Sequence, residues 1–183
     1  MKQRYSTYID ESNILSNTGN SIYVCLYVEY LNKDNISHTI LEIEKGLKIS
    51  YTHWVDMPWK LRMKFAEKIK DLDFNCKIVI YKNPINQRDT LADFLIKVGS
   101  FEDNMQEIFI DGKQSKIFQL KFKTFLRKNG IKVYKLSFVN DKNEPCIRLV
   151  DFIAGFYRSY LDNKNKKNIY IHSLLKNKIK ILN

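Results

Sequence analysis

Three aspartates stand where a carboxylate can do chemistry. Asp10 ends a segment, residues 4–10, in which Tyr5, Thr7 and Ile9 alternate with Ser6, Tyr8 and Asp10 as in a strand. Asp111 follows the apolar run Ile108-Phe109-Ile110, and Asp151 is set among Leu149, Val150, Phe152, Ile153, Ala154, Phe156 and Tyr157. A helix carrying that last set is apolar on nearly every side and is expected to be buried, so an ionised carboxylate in it needs a counter-charge or a metal ion. Singly, each acid has an ordinary reading. Asp151 could pair with Arg148 or Arg158, and Asp10 and Asp111 could cap loops. Reactive groups in α/β sheets nevertheless gather at the carboxyl ends of strands, and three acids at such places point to one site.

The elements that must position these acids follow from periodicity. Residues 4–10 and 22–31 read as two strands joined across the turn-rich 16–20, and residues 37–44 as a third antiparallel strand. Asp56 and Pro58 then open an amphipathic helix whose apolar face is Leu61, Phe65, Ile69 and Leu72. A strand at 76–81, a helix around residues 91–98 closed by Gly99, a strand at 107–111, a helix at 115–128, a strand at 131–139 and a helix at 146–161 complete an alternating pattern. The fold class is α/β: three antiparallel N-terminal strands, then alternating helices and strands in a mixed sheet with helices on both faces. Residues 1–161 form the expected domain. Residues 162–183 form a basic segment expected to be helical, through Ile171, Leu174, Leu175 and Ile179, and to pack on it.

The 183 residues are enough to bury a core without disulfides, and with 44% hydrophobic residues, 6 Gly and 3 Pro the disordered and collagen-like classes are excluded. The longest apolar run, residues 22–28, is far shorter than the roughly 20 residues of a membrane-spanning helix. The start of the chain has no apolar export signal, so the expected location is cytoplasmic, without membrane contact. Cys25, Cys76 and Cys146, odd in number and set among aliphatic residues, read as core residues in a reducing compartment. Lys plus Arg is 31 against 20 for Asp plus Glu, a net charge of +11 that suggests a polyanionic partner. The charge is clustered. Between residues 112 and 140 there is no acid, while Lys113, Lys116, Lys121, Lys123, Arg127 and Lys128 fall inside that stretch. If 115–128 is a helix, Phe118, Phe122, Phe125 and Leu126 can face the sheet. The basic residues are then either a solvated face or a track for a nucleic-acid backbone.

Tyr8-Ile9-Asp10-Glu11-Ser12 resembles the opening I-D-E-S signature of a widespread bacterial and phage family, the domain of unknown function 3800. Ile110-Asp111 is similar to its central strand-end aspartate. Arg148-Leu149-Val150-Asp151-Phe152-Ile153-Ala154-Gly155 is similar to its closing helix motif, commonly Q-x-A-D-x-I-A-G. The motifs span nearly the whole chain, with Asn13 where glycine is usual and Arg148 where glutamine is usual. The resemblance implies an RNase H-like fold in which Asp10, Asp111 and Asp151 are catalytic and ligate two Mg²⁺ or Mn²⁺ ions. Hard carboxylate oxygens suit such ions, which cleave phosphodiesters by activating water and stabilising the leaving oxygen. The implied activity is a Mg²⁺-dependent nuclease acting on DNA or RNA, in phage defence or mobile-element biology.

Strand alternation ranks Asp10, with Ser12 on its side, above Glu11 as a ligand. Glu11, Ser12, His53 and Arg148 are accessory candidates. His53 could contact phosphate or assist proton transfer, against an ordinary loop hydrogen bond, and Arg148 could neutralise Asp151. Glu11, Asp56, Asp141 and Glu144 are the candidates for a fourth ligand. The competing expectation is a catalytically inactive RNase H-like module that binds nucleic acid or a protein partner, a second copy of the chain included. A small-molecule enzyme fits less well, because no glycine-rich phosphate loop or nucleophile and base pair is present.

Overall fold

The computed structural model describes residues 4–50, 52–101 and 105–182. Residues 1–3 and 183, which entered the reading above, lie outside these. A six-stranded sheet has the order β5 (Lys135–Val139), β4 (Met105–Asp111), β1 (Tyr5–Ser12), β2 (Asn20–Glu29), β3 (Asn75–Lys82), β6 (Ile179–Leu182). Its centre is β1 (Tyr5–Ser12), antiparallel to β2 (Asn20–Glu29) and parallel to β4 (Met105–Asp111). β3 (Asn75–Lys82) extends the antiparallel side, and β5 (Lys135–Val139) continues the parallel side.

Alternation along β2 explains why the sheet is covered twice. Ile22, Val24, Leu26 and Val28 enter one core, and Tyr23, Cys25 and Tyr27 enter the other. The first core lies under α1 (Lys33–Leu47), α2 (Trp59–Ile69), α5 (Pro145–Asp162) and α6 (Lys166–Leu175). The second lies under α3 (Gln87–Phe101) and α4 (Lys116–Lys128). All three cysteines are buried. No helix among the described residues is long and apolar enough to cross a membrane.

The structure corrects several expectations. Residues 37–44 belong to helix α1; the three antiparallel strands are β1, β2 and β3. Ile36, Ile40 and Glu44 recur at four-residue spacing and are buried on one face, and that helical period overrides the β-branched composition. Asp56 does not cap α2: it sits in a 3-10 turn, Trp54–Asp56, and Pro58 is the cap residue. Gly99 lies inside α3, where an added Cβ would come within 2.9 Å of the Ile131 side chain, so it serves packing and not termination. β5 begins at Lys135, after the buried Ile131 and Val133. In the C-terminal segment α6 is followed by a strand, β6 (Ile179–Leu182), parallel to β3 at the sheet edge.

One buried ion pair fastens α1 to α5. Arg148 donates from Nε and Nη2 to the two carboxylate oxygens of Glu44 at 2.8 and 2.7 Å, with both side chains only 3% exposed. Glu44 Oε1 also accepts the Thr52 amide at 2.6 Å, and Arg148 Nη1 donates to the Asp141 carbonyl at 2.8 Å. One pair therefore ties two helices and two connections. Because removing one member leaves the other charged, buried and unpaired, Glu44→Ala is expected to cost about 3–5 kcal/mol. Replacing both partners by methionine should cost less than that single change. Urea unfolding of the wild type and the two variants checks this, and a Glu44→Ala loss below about 1 kcal/mol would contradict the role assigned to the pair.

Candidate acidic site

Asp10 lies on β1, between Val24 of β2 and the end of β4, and only 6% of it is exposed. Its Oδ1 accepts the Glu11 amide at 2.8 Å. Burial pushes its pKa well above the usual carboxylate range, and the charges of Asp151, Glu11 and Asp111 push the same way. Asp111 ends β4. The next residue, Gly112, has φ of +104°, a left-handed conformation open to glycine, and its amide donates to the Val139 carbonyl at 3.0 Å. Burial and the neighbouring Asp141 raise the Asp111 pKa, against the Gly112 and Asp141 amides and His53.

Asp151 reaches the same region from α5. Its Oδ2 accepts the Trp54 amide at 2.8 Å, and its Oδ1 is 3.7 Å from His53 Nε2. Burial raises its pKa, Asp111 and Asp141 add to that, and the Trp54 amide and His53 oppose it. This approach depends on Gly155. A Cβ there would lie 2.3 Å from the Trp54 ring, so only glycine lets the indole pack on α5 and bring its amide to Asp151 one turn away. Arg62 holds Trp54 from the other side, stacking at 4.0 Å over the ring and donating from Nε to its carbonyl at 3.1 Å.

The accessory candidates separate. Glu11 projects to the opposite face from Asp10, as alternation requires, accepts from Gln87 Nε2 at 3.3 Å and has a pKa raised to about 7 by burial and by Asp111. Ser12 ends β1 opposite Ile22. His53 Nδ1 is 2.9 Å from Asp56 Oδ2. Burial lowers its pKa, but the hydrogen bond to Asp56 and the charge of Asp151 outweigh this and raise it overall. Arg148 does not neutralise Asp151: its guanidinium goes to Glu44 and to the carbonyl of Asp141. Arg158 pairs with Asp162 at 3.3 Å instead. Of the fourth-ligand candidates, Asp141 carries a charge that raises the pKa of both Asp111 and Asp151, and Glu11 raises Asp10 and is itself raised by Asp111. Asp56 is occupied by His53, and Glu144 caps α5 through the Cys146 amide at 3.4 Å.

The basic residues also separate. Lys113 lines a cavity of about 670 Å³ that Glu11 and Asp111 share. Lys116 opens α4, and Lys121 and Lys128 are exposed along it. Lys123 donates to the Tyr134 carbonyl and Arg127 to the Val133 carbonyl, so these two brace the connection to β5. Phe122 and Leu126 face the sheet, but Phe125 is 40% exposed.

The donor chemistry suits a hard divalent cation, since several carboxylates share a partly buried space in which burial raises each, Asp111 and Asp151 raise Asp10 further, and Asp111 raises Asp151. Among the described residues, however, no three His, Cys, Asp or Glu side chains are gathered closely enough to hold a metal ion. The acids are neighbours and not a closed ligand set.

No protein-family model matches the chain, and no curated protein matches it. Solved structures do. Ribonuclease H2 from Pyrococcus horikoshii OT3 superposes with a TM-score of 0.59 at 14% identity over 94% of this chain and 76% of that one. RNase HII from Archaeoglobus fulgidus, solved in complex with PCNA, gives 0.55 at 14% identity, covering 94% and 77%. Bst-RNase HIII, solved in complex with Mn²⁺, gives 0.55 at 14% identity over 87% of this chain, which spans 53% of that one. At such identity the likeness concerns architecture alone: the chain has an RNase H-like fold.

Proposed function

We propose that the protein is a divalent-metal-dependent nuclease that hydrolyses phosphodiester bonds of DNA or RNA, and that it belongs with the domain of unknown function 3800 sequences it resembles. The observation that carries this reading is the placement of Asp10 on the central strand, Asp111 at the end of the parallel strand beside it and Asp151 on the buried helix α5 of an RNase H-like fold. A role in phage defence or in mobile-element biology fits the resemblance.

Asp10, Asp111 and Asp151 would hold the cations, with Asp141 or Glu11 as the next donor. Cations in such a set supply charge to the phosphate and lower the pKa of a water nucleophile. The chain's own groups do the rest. The Trp54 amide fixes one oxygen of Asp151 and leaves the other directed toward His53. His53, held by Asp56, can keep a proton at Nε2 beside the site. Lys113 can attract the phosphate that Asp111 alone would repel. The absence of a closed ligand set among the described residues favours one alternative, a nucleic-acid-binding module without catalysis.

Two outcomes test the reading. Asp10→Asn and Asp151→Asn should each abolish Mg²⁺- or Mn²⁺-dependent cleavage while leaving nucleic-acid affinity equal or higher, because lost negative charge eases the approach of phosphate. Gel assays on single-stranded, duplex and hybrid substrates check this, and a wild type that cleaves none of them favours the binding module. The second outcome is thermodynamic. Carboxylates whose folded pKa is raised bind protons more tightly when folded. Their contribution to stability is greatest below the unfolded value near 4 and falls as pH rises through the folded values, about 7 for Glu11. A divalent cation competes with those protons. Mg²⁺ or Mn²⁺ should therefore raise Tm little at pH 5 and clearly at pH 8, and thermal scans showing no shift at either pH would count against a metal site.

A further inference from the structure

The cavity beside the acidic site is lined by Arg88 and Phe118, which take no part in the proposed hydrolysis. It lies at the α3 and α4 face, whereas Asp151 approaches from α5, and Glu11 and Asp111 belong both to its lining and to the acidic cluster. Arg88 and Lys113 bring positive charge to its walls, and among the described residues neither has a carboxylate within ion-pair distance. Its apolar wall is built of ring contacts. Phe118 stacks on Phe122 at 5.6 Å and meets Phe138 edge-on at 5.8 Å, and the Arg88 guanidinium sits 5.4 Å over the Phe118 ring.

We propose that this cavity, with Arg88, Lys113 and Phe118 in its walls and Asp111 at the acidic site, is a subsite for one unpaired nucleotide of the nucleic-acid strand. The inference deepens the nucleic-acid reading above and rests on it. Unpaired cations beside an aromatic face are the combination that holds single-stranded nucleic acid, the cation taking the phosphate and the ring the base. The volume of about 670 Å³ lies within the usual range for small-ligand pockets, so a base with its sugar and phosphate has room. Concavity sets the form of the substrate. A base inside a duplex cannot reach a walled pocket without leaving its stack, so an unpaired strand enters at less cost than a duplex or hybrid. Glu11 and Asp111 repel phosphate, so the phosphate settles toward Arg88 and Lys113 and the strand continues past Asp111 to the acids.

A free mononucleotide offers the same chemistry, and the experiment separates the two sources. Fluorescence anisotropy would measure the intact protein, with Ca²⁺ present, against a labelled single-stranded DNA, a single-stranded RNA, the matching duplexes and the hybrid, from low to moderate salt, with mononucleotide as competitor. The expected result is at least tenfold tighter binding of the single strands, with mononucleotide competing only weakly. Arg88→Gln, at an exposed position, should weaken single-strand binding by roughly tenfold and lower its log–log salt slope by about one. Duplex binding should change little. Phe118→Leu, with its fold checked by circular dichroism, should weaken the single strand alone. Equal affinity for single strands and duplexes, an Arg88→Gln effect shared by all substrates, or mononucleotide competing as well as the strand would each overturn the subsite. Cleavage of duplexes without single-strand preference would overturn the subsite and leave the nuclease standing. Single-strand preference without cleavage would support the subsite and overturn the nuclease.

Discussion

Carboxylates in a partly buried space repel one another and lose hydration together, and the architecture around this site is organised by that constraint. Asp10 is held in the central strand, Asp111 follows from the neighbouring parallel strand, and Asp151 is brought by a helix buried in the core. Relief comes mainly from backbone donors. The amides of Glu11 and Trp54 donate to Asp10 and Asp151 respectively, and His53 adds a group that can carry positive charge. The folded pKa values nevertheless remain raised, so the protein keeps a local excess of negative potential at one place on a chain whose net charge is +11. Such an arrangement costs stability, and it is the kind of strain that binding of a cation relieves.

Arg148 shows how the fold protects that potential. Three residues before Asp151 in sequence, it is directed into Glu44 of α1 and the carbonyl of Asp141. The same guanidinium thus fastens the layer of helices and fixes the turn that carries Asp141 toward Asp111. Gly155 acts in parallel, since its missing side chain admits Trp54, whose amide orients Asp151. Neither residue belongs to the acidic cluster, yet both determine its shape.

Much of this was legible in the sequence. β1, β3, β4, α4 and α5 have clean periodicity, and the three aspartates stand out because each interrupts or ends an apolar run. What was not legible is long-range or locally ambiguous. The segment containing Ile36, Thr39, Ile40 and Ile43 is rich in β-branched residues, and the Glu44 to Arg148 pair that helps to make it a helix spans 104 positions. β6 is short, lysine-flanked and marginal, so its place beside β3 is a tertiary effect. No local signal marks the Trp54 amide as a partner of Asp151, or Gln87 and Arg88 as walls of a cavity with Asp111. The basic run was visible, but not that Lys123 and Arg127 are spent on backbone carbonyls while Lys113 remains beside the acids.

The central claim is that Asp10, Asp111 and Asp151 form a cation site. A crystal structure of the protein soaked in Mn²⁺, with data collected at the manganese edge, tests it most directly. The account predicts an anomalous peak at direct coordination distance, about 2.0–2.2 Å, from oxygens of all three side chains, as for hard octahedral ions. It also predicts that the Arg148 guanidinium stays on Glu44. Manganese bound elsewhere, or these carboxylates left apart with no peak between them, would contradict it.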